Sequence, residues 1–148
     1  MDDNAFEDKL FQGDCLEIMK DIPDGSVDMV LCDLPYGVLN KGNDSAKWDI
    51  IIPFEPLWEQ YLRVCKENAP IVLFSQGMFT AQLMMSRPDL WRYNLVWDKC
   101  TTTGFLNANR MPLRQHEDIC IFYRSLPVYN PQMKTGIIHS RQHGNAVN

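Results

Sequence analysis

Asp33-Leu34-Pro35-Tyr36 sets a carboxylate, a proline and an aromatic ring side by side in the chain. Proline fixes its own φ and offers no N–H, so it stiffens the turn and leaves carbonyls free to accept. Tyr36 supplies a flat face for stacking. A carboxylate, a carbonyl and a ring suit a planar ligand with an exocyclic amino group. One amine hydrogen would go to Asp33, the other to the carbonyl of Leu34, while the ligand ring stacks on Tyr36. The consequence is chemical. An aryl amine is a poor nucleophile because its lone pair is spread into the ring. Two acceptors holding its hydrogens in a tetrahedral arrangement favour a localised pair, which can attack an electrophilic methyl group. No covalent enzyme intermediate is required. Asp33 acts as acceptor and charge stabiliser, with the proton leaving later to water. The same residues also read as a strand-end aspartate capping a turn, since short motifs recur by chance.

Something must hold that turn. Pro23-Asp24-Gly25-Ser26 is turn chemistry, and Val27–Cys32 after it reads as a short buried strand. Lys9–Gly13 is a further strand candidate, followed by a brief helix over Leu16–Lys20. Leu34–Pro53 is a long connection of the functional kind. Phe54, Leu57, Trp58, Tyr61, Leu62 and Cys65 recur at helical spacing and mark one face of a helix. Ile71–Phe74 is a second buried strand, and Met78–Met85 a helix that stops before Pro88. Leu95–Trp97 and Ile119–Tyr123 are strands separated by the polar stretch Asp98–Glu117. This alternation predicts an α/β sheet with crossover helices. Ligands of such sheets sit beyond the carboxyl ends of the strands. Asp33–Tyr36 and Ser75-Gln76-Gly77 both fall there, so the two loops should meet on one edge.

Composition narrows the classes. The 148 residues suffice for one domain with a real core, and no apolar run is long enough to span a bilayer. The acidic start Met1-Asp2-Asp3-Asn4 lacks the layout of a signal peptide, and the expected location is cytoplasmic. Cys15, Cys32, Cys65, Cys100 and Cys120 are scattered with no C-x-x-C pair, which disfavours a disulfide framework or zinc ribbon. None follows a proline, which disfavours covalent attack on a cytosine ring carbon. His139 and His143 lack a third ligand, so no metal site is expected. Net charge is −5, but residues 1–86 carry 6 Lys/Arg against 15 Asp/Glu, and residues 87–148 carry 8 against 4. The later part could face phosphates; an ordinary solvated surface is the plainer account.

The ordered set of short motifs resembles the permuted class of DNA N6-adenine and N4-cytosine methyltransferases. Phe11-Gln12-Gly13-Asp14-Cys15 is similar to the family's opening strand and Gly-Asp turn. Pro23-Asp24-Gly25-Ser26-Val27-Asp28 resembles its lead into the catalytic strand. Asp33-Leu34-Pro35-Tyr36-Gly37 matches a D-P-P-Y-type motif with Leu34 in place of the first proline. Lys47-Trp48-Asp49, Trp97-Asp98-Lys99 and His116-Glu117-Asp118-Ile119 follow in the family's order, and Tyr129-Asn130-Pro131-Gln132-Met133 resembles a segment of a phage- and prophage-rich branch.

The resemblance implies a partial Rossmann-like fold, S-adenosylmethionine as methyl donor, and a base flipped out of double-stranded DNA, because the amino group is otherwise paired inside the stack. It assigns catalysis to Asp33, Leu34, Pro35 and Tyr36, and cofactor contact to Asp14, Cys15 and Asp33. Asp14 also reads as the N-cap of the first helix. The opening aspartate favours adenine N6 over cytosine N4. Lys99, Asn107, Arg110 and Arg114 are candidate phosphate and base-edge contacts, although any polar loop holds such residues. Residues 1–98 would form the catalytic-motif part, and residues 99–148 a polar loop, a last strand and the start of a target-recognition region.

No two glycines are separated by one residue, so the family's cofactor glycine loop is not in the sequence. The resemblance places that loop further along, with central strands between Lys9–Gly13 and Val27–Cys32. The chain is therefore expected to be a front fragment, inactive alone, and to self-associate or pair with a missing C-terminal fragment. An inactive DNA-binding remnant and an RNA or protein-amine methyltransferase are the alternatives.

Overall fold

The apolar stripe that begins at Phe54 forms the central helix of the structure, a computed structural model that describes residues 6–39 and 44–133. Helix α1 is Cys15–Met19, strand β1 Val30–Asp33, helix α2 Phe54–Val64, strand β2 Ile71–Ser75, helix α3 Met78–Ser86, strand β3 Trp91–Thr103 and strand β4 Arg114–Phe122. Single 3₁₀ turns sit at Asp44–Ala46 and Phe105–Asn107. In α2 the stripe buries Leu57, Trp58, Tyr61 and Val64, with Glu55 in the first turn and Arg63 in the last, as the helix dipole favours. Among the described residues no helix is long and apolar enough to cross a membrane.

The sheet has four strands in the order β1-β2-β4-β3. β1 and β2 are parallel, joined by the crossover through α2. β4 pairs antiparallel with both β2 and β3. The α/β class with a crossover is therefore present in a mixed sheet. One face carries Val30, Cys32, Ile71, Leu73, Cys120 and Phe122, and it packs on Leu57, Trp58 and Tyr61 of α2 and Phe79 and Leu83 of α3. Leu57, Leu73, Leu83, Cys120 and Phe122 are fully buried there. Alternation sends Leu31, Val72, Phe74, Leu95, Trp97 and Ile119 to the other face. The T-shaped contact of Phe74 with Trp97, at 5.5 Å, lies on that face. Leu31, Leu95 and Trp97 remain exposed on it.

Three sequence expectations need correction. Lys9–Gly13 is not a strand. A strand needs a ladder, and among the described residues β1 pairs only with β2 and no strand pairs with this segment; Leu10 is 99% exposed. The strand that leads to Asp33 begins at Val30, not Val27, which makes only an isolated bridge to Cys65, and it is half-exposed instead of buried. The polar stretch Asp98–Glu117 is not a loop between strands. β3 continues to Thr103 and β4 starts at Arg114, so most of the stretch is a hairpin that extends past the sheet body. Its polar residues hid this, because both hairpin faces there are solvated and no apolar alternation marks them. β3 also runs through position 98, so residues on both sides of that boundary share one sheet. Positions 40–43 of the long connection, and His139 and His143, lie outside the described residues.

Candidate active site

Asp33 is the last residue of β1 and stands opposite Phe74 of the parallel β2. Leu34 follows and is buried in the core, which pins the turn from inside. The Tyr36 hydroxyl donates to Asp33 Oδ1 at 2.6 Å. Phe79, at the start of α3, stacks on the Tyr36 ring with centroids 4.9 Å apart and planes 28° from parallel. The turn is thus tied at both ends, by the core at Leu34 and by an aromatic stack at Tyr36. Burial pushes the Tyr36 phenol far above its ordinary value, and the bond to Asp33 and its charge add to the shift. Tyr36 stays a neutral donor at any working pH, and one Asp33 oxygen is left for another partner.

The second loop expected at this edge arrives there. Ser75 is buried with its hydroxyl 3.2 Å from Cys120 Sγ. Gly77, at φ 60, turns the chain from β2 into α3, a conformation that favours glycine. Gln76, Gly77, Phe79 and Arg114 share a cavity of about 390 Å³ with Tyr36. Arg114 Nη1 donates to Gln76 Oε1 at 3.2 Å, so the first residue of β4 is held against the β2 loop.

Asp49 is the residue that sequence reading left without a role. It is 2% exposed. Its carboxylate accepts from the backbone N–H groups of Gly37 at 3.0 Å, Val38 at 2.7 Å and Leu39 at 2.6 Å. These bonds, that of Leu39 foremost, hold its carboxyl below the usual carboxylate range against the opposing effect of burial. One side chain therefore fastens the whole segment that follows the Asp33–Tyr36 turn. No pattern along the chain marked it: its neighbours Trp48 and Ile50 are exposed, and only the fold buries the carboxylate against its donors. Asp33, Leu34, Pro35 and Tyr36 line a second cavity, of about 360 Å³, together with Val38, Leu39, Trp48 and Asp49.

The remaining sequence candidates are placed as follows. Asp14 is the N-cap of α1, accepting from Leu16 N–H at 2.8 Å. Cys15 lies within electrostatic reach of Cys32, the neighbour of Asp33; burial raises its thiol, with Asp14 and Cys32 adding to the shift. Lys99 pairs with the half-buried Glu117 and sits over the Trp97 ring at 5.4 Å. Asn107 and Arg110 are exposed at the tip of the β3–β4 hairpin, which projects past the same sheet end at which β1 and β2 finish. All five cysteines are unpaired.

No protein-family model matches the chain. Over 137 residues it is 23% identical to the type II methyltransferase M.HinfI of Haemophilus influenzae, an alignment that covers 74% of this chain and 38% of that protein. Its fold is similar to that in the crystal structure of the M1.HpyAVI–SAM complex, with a TM-score of 0.59 at 17% identity, covering 86% of this chain and 63% of that one. The chain thus spans less than two thirds of the length of each. The fold is that of part of a SAM-dependent methyltransferase. The similarity to M.HinfI agrees with the family resemblance carried by the motifs.

Proposed function

We propose that this chain is the catalytic-motif part of an S-adenosylmethionine-dependent DNA amino-methyltransferase, acting on adenine N6 in preference to cytosine N4. The observation that carries this reading is the tied turn at the end of β1. Asp33, fixed by Tyr36, and the Leu34 carbonyl are the two acceptors for the amine, and Tyr36 is the stacking face. The bond from Tyr36 fixes the orientation of the Asp33 carboxylate, which suits an acceptor and charge stabiliser. As the amine nitrogen attacks the methyl group, positive charge grows on it beside Asp33, and the attraction is greater in the transition state than before it.

The donor supplies an electrophilic methyl on sulfur. Asp14, Cys15 and Asp33 are the residues of this chain that would border it. They fit one side of such a site: Asp14 sits at the N-cap of α1, Cys15 is near Cys32, and the far edge of β1 pairs with no described strand. The glycine turn of the other side is not among the residues of this sequence. This chain alone is inactive on that reading.

Double-stranded DNA is the partner, and the base enters by flipping, which exposes the amine to Asp33. Of the candidate contacts, Arg110 and Arg114 have no carboxylate partner among the described residues, so their charge is available to phosphates. Lys99 is neutralised by Glu117 and contributes less.

The test uses the natural protein that carries this sequence. Supplied with labelled S-adenosylmethionine and mixed-sequence DNA, it should yield N6-methyladenine, and Asp33→Ala should abolish it. Transfer that survives Asp33→Ala, or a product confined to RNA, would overturn the reading.

A further inference from the structure

The cavity beside Asp33 has a second wall with no assigned role. Trp48 is 67% exposed, and Val38, Leu39 and Ile50 around it are exposed as well. Single exposed apolar residues are common on protein surfaces. These are not single. Val38, Leu39 and Trp48 line the same cavity as Asp33, Pro35 and Tyr36, and the buried Asp49 forms part of its wall. An apolar rim around a carboxylate marks a place built for a ligand that is flat, apolar on its faces and polar on its edge.

The rim is also fixed. Asp49 follows Trp48 directly in the chain and accepts from the N–H groups of Gly37, Val38 and Leu39. It therefore ties the two strands of chain that make the rim to each other. Gly37 adds to this. Its φ is 69°, and a Cβ there would lie 3.0 Å from Ile51 Cγ1, so backbone and side chain already touch. Phe79 stacks on the Tyr36 ring, and Tyr36 also lines the cavity that holds Trp48.

We infer that Trp48 is the second aromatic contact of the target base, closing the site opposite Tyr36, and that Asp49 is the positioning residue that holds it there. The inference rests on the proposed base-amine function and adds a residue to it. The occupant is a heteroaromatic base with an exocyclic amine: the apolar rim takes its faces, and Asp33 takes its edge. Stacking of a base on an aromatic side chain tolerates any base, so Trp48 would contribute affinity, and Asp33 with Leu34 the choice of base.

The experiment uses this chain and a short duplex carrying 2-aminopurine opposite an abasic site. The base is then free to leave the stack without a known recognition sequence. Wild-type protein should quench 2-aminopurine emission on binding. Trp48→Ala should weaken binding of this probe by roughly tenfold and remove most of the quenching, while Trp48→Phe restores most of both. Asp49→Asn should weaken binding and quenching of this probe in the same direction. Circular dichroism of each variant separates these effects from unfolding. No quenching by the wild type would overturn the function on which the inference rests. Quenching by the wild type that persists in Trp48→Ala, with Tyr36→Ala removing it, would overturn the inference alone.

Discussion

Tyr36 donates its hydroxyl hydrogen to Asp33 Oδ1 at 2.6 Å, three positions back along the same turn. The residue expected to stack on a base also sets the carboxylate that would accept from it. Tyr36→Phe separates the two roles. It keeps the stack on Phe79 and removes the bond, so 2-aminopurine quenching should persist. Methyl transfer by the natural protein that carries this sequence should fall by about tenfold, the size of one hydrogen bond to a charged group. Equal rates for the two proteins would show that this bond has no part in the reaction.

Asp49 makes stability fall in acid. Its carboxyl is held below the usual range in the folded protein, chiefly by the Leu39 N–H. The contribution is therefore fully present above the unfolded value of about 3.9 and is lost as pH falls through the lower folded value. Thermal melts should show Asp49→Asn less stable than wild type at neutral pH, with the gap closing below about pH 4. A gap that is constant with pH would mean that the charge is not what the three N–H groups hold.

Gly37→Ala should destabilise by about 1–2 kcal/mol from the left-handed backbone alone, with the approach to Ile51 adding to it. Leu73→Ala, in the middle of β2 and fully buried, should cost about 2–5 kcal/mol. Urea unfolding measures both. Gly25→Ala, also at positive φ but with open space around it, should cost less than Gly37→Ala, which isolates the contact with Ile51.

The uncovered sheet face predicts association. Leu31, Leu95 and Trp97 are exposed on it, and β1 has an open edge among the described residues. Sedimentation equilibrium should show concentration-dependent self-association of this chain, reduced in Leu31→Lys and Leu95→Lys. A monomer at every concentration would show that the face is protected in solution.

Arg114→Gln should lower the slope of log affinity for DNA against log salt by about one unit, whatever the sequence of the duplex. Lys99→Gln should change that slope less, because Glu117 already neutralises Lys99. Equal slopes for wild type and Arg114→Gln would place the phosphate contact elsewhere.

Much of this was legible along the chain. The period of Phe54 to Cys65 predicted α2, and the apolar run Ile71–Phe74 predicted β2. Even the meeting of the Tyr36 and Gly77 loops followed from strand ends in an α/β sheet. These are properties of neighbours in sequence, which helical and strand periodicity expose. The hairpin of β3 and β4 was not legible, because solvated residues on both faces leave no pattern. Nor was the fate of Lys9–Gly13, since a segment becomes a strand only if another lies beside it. Asp49 shows the difference most plainly. Its sequence neighbours Trp48 and Ile50 are exposed; that Asp49 is buried, and that the N–H groups it meets include those of Val38 and Leu39 beside Asp33, was decided by the loop closing on itself. A carboxylate carries its need for donors in its chemistry, but only the folded chain brings the donors to it.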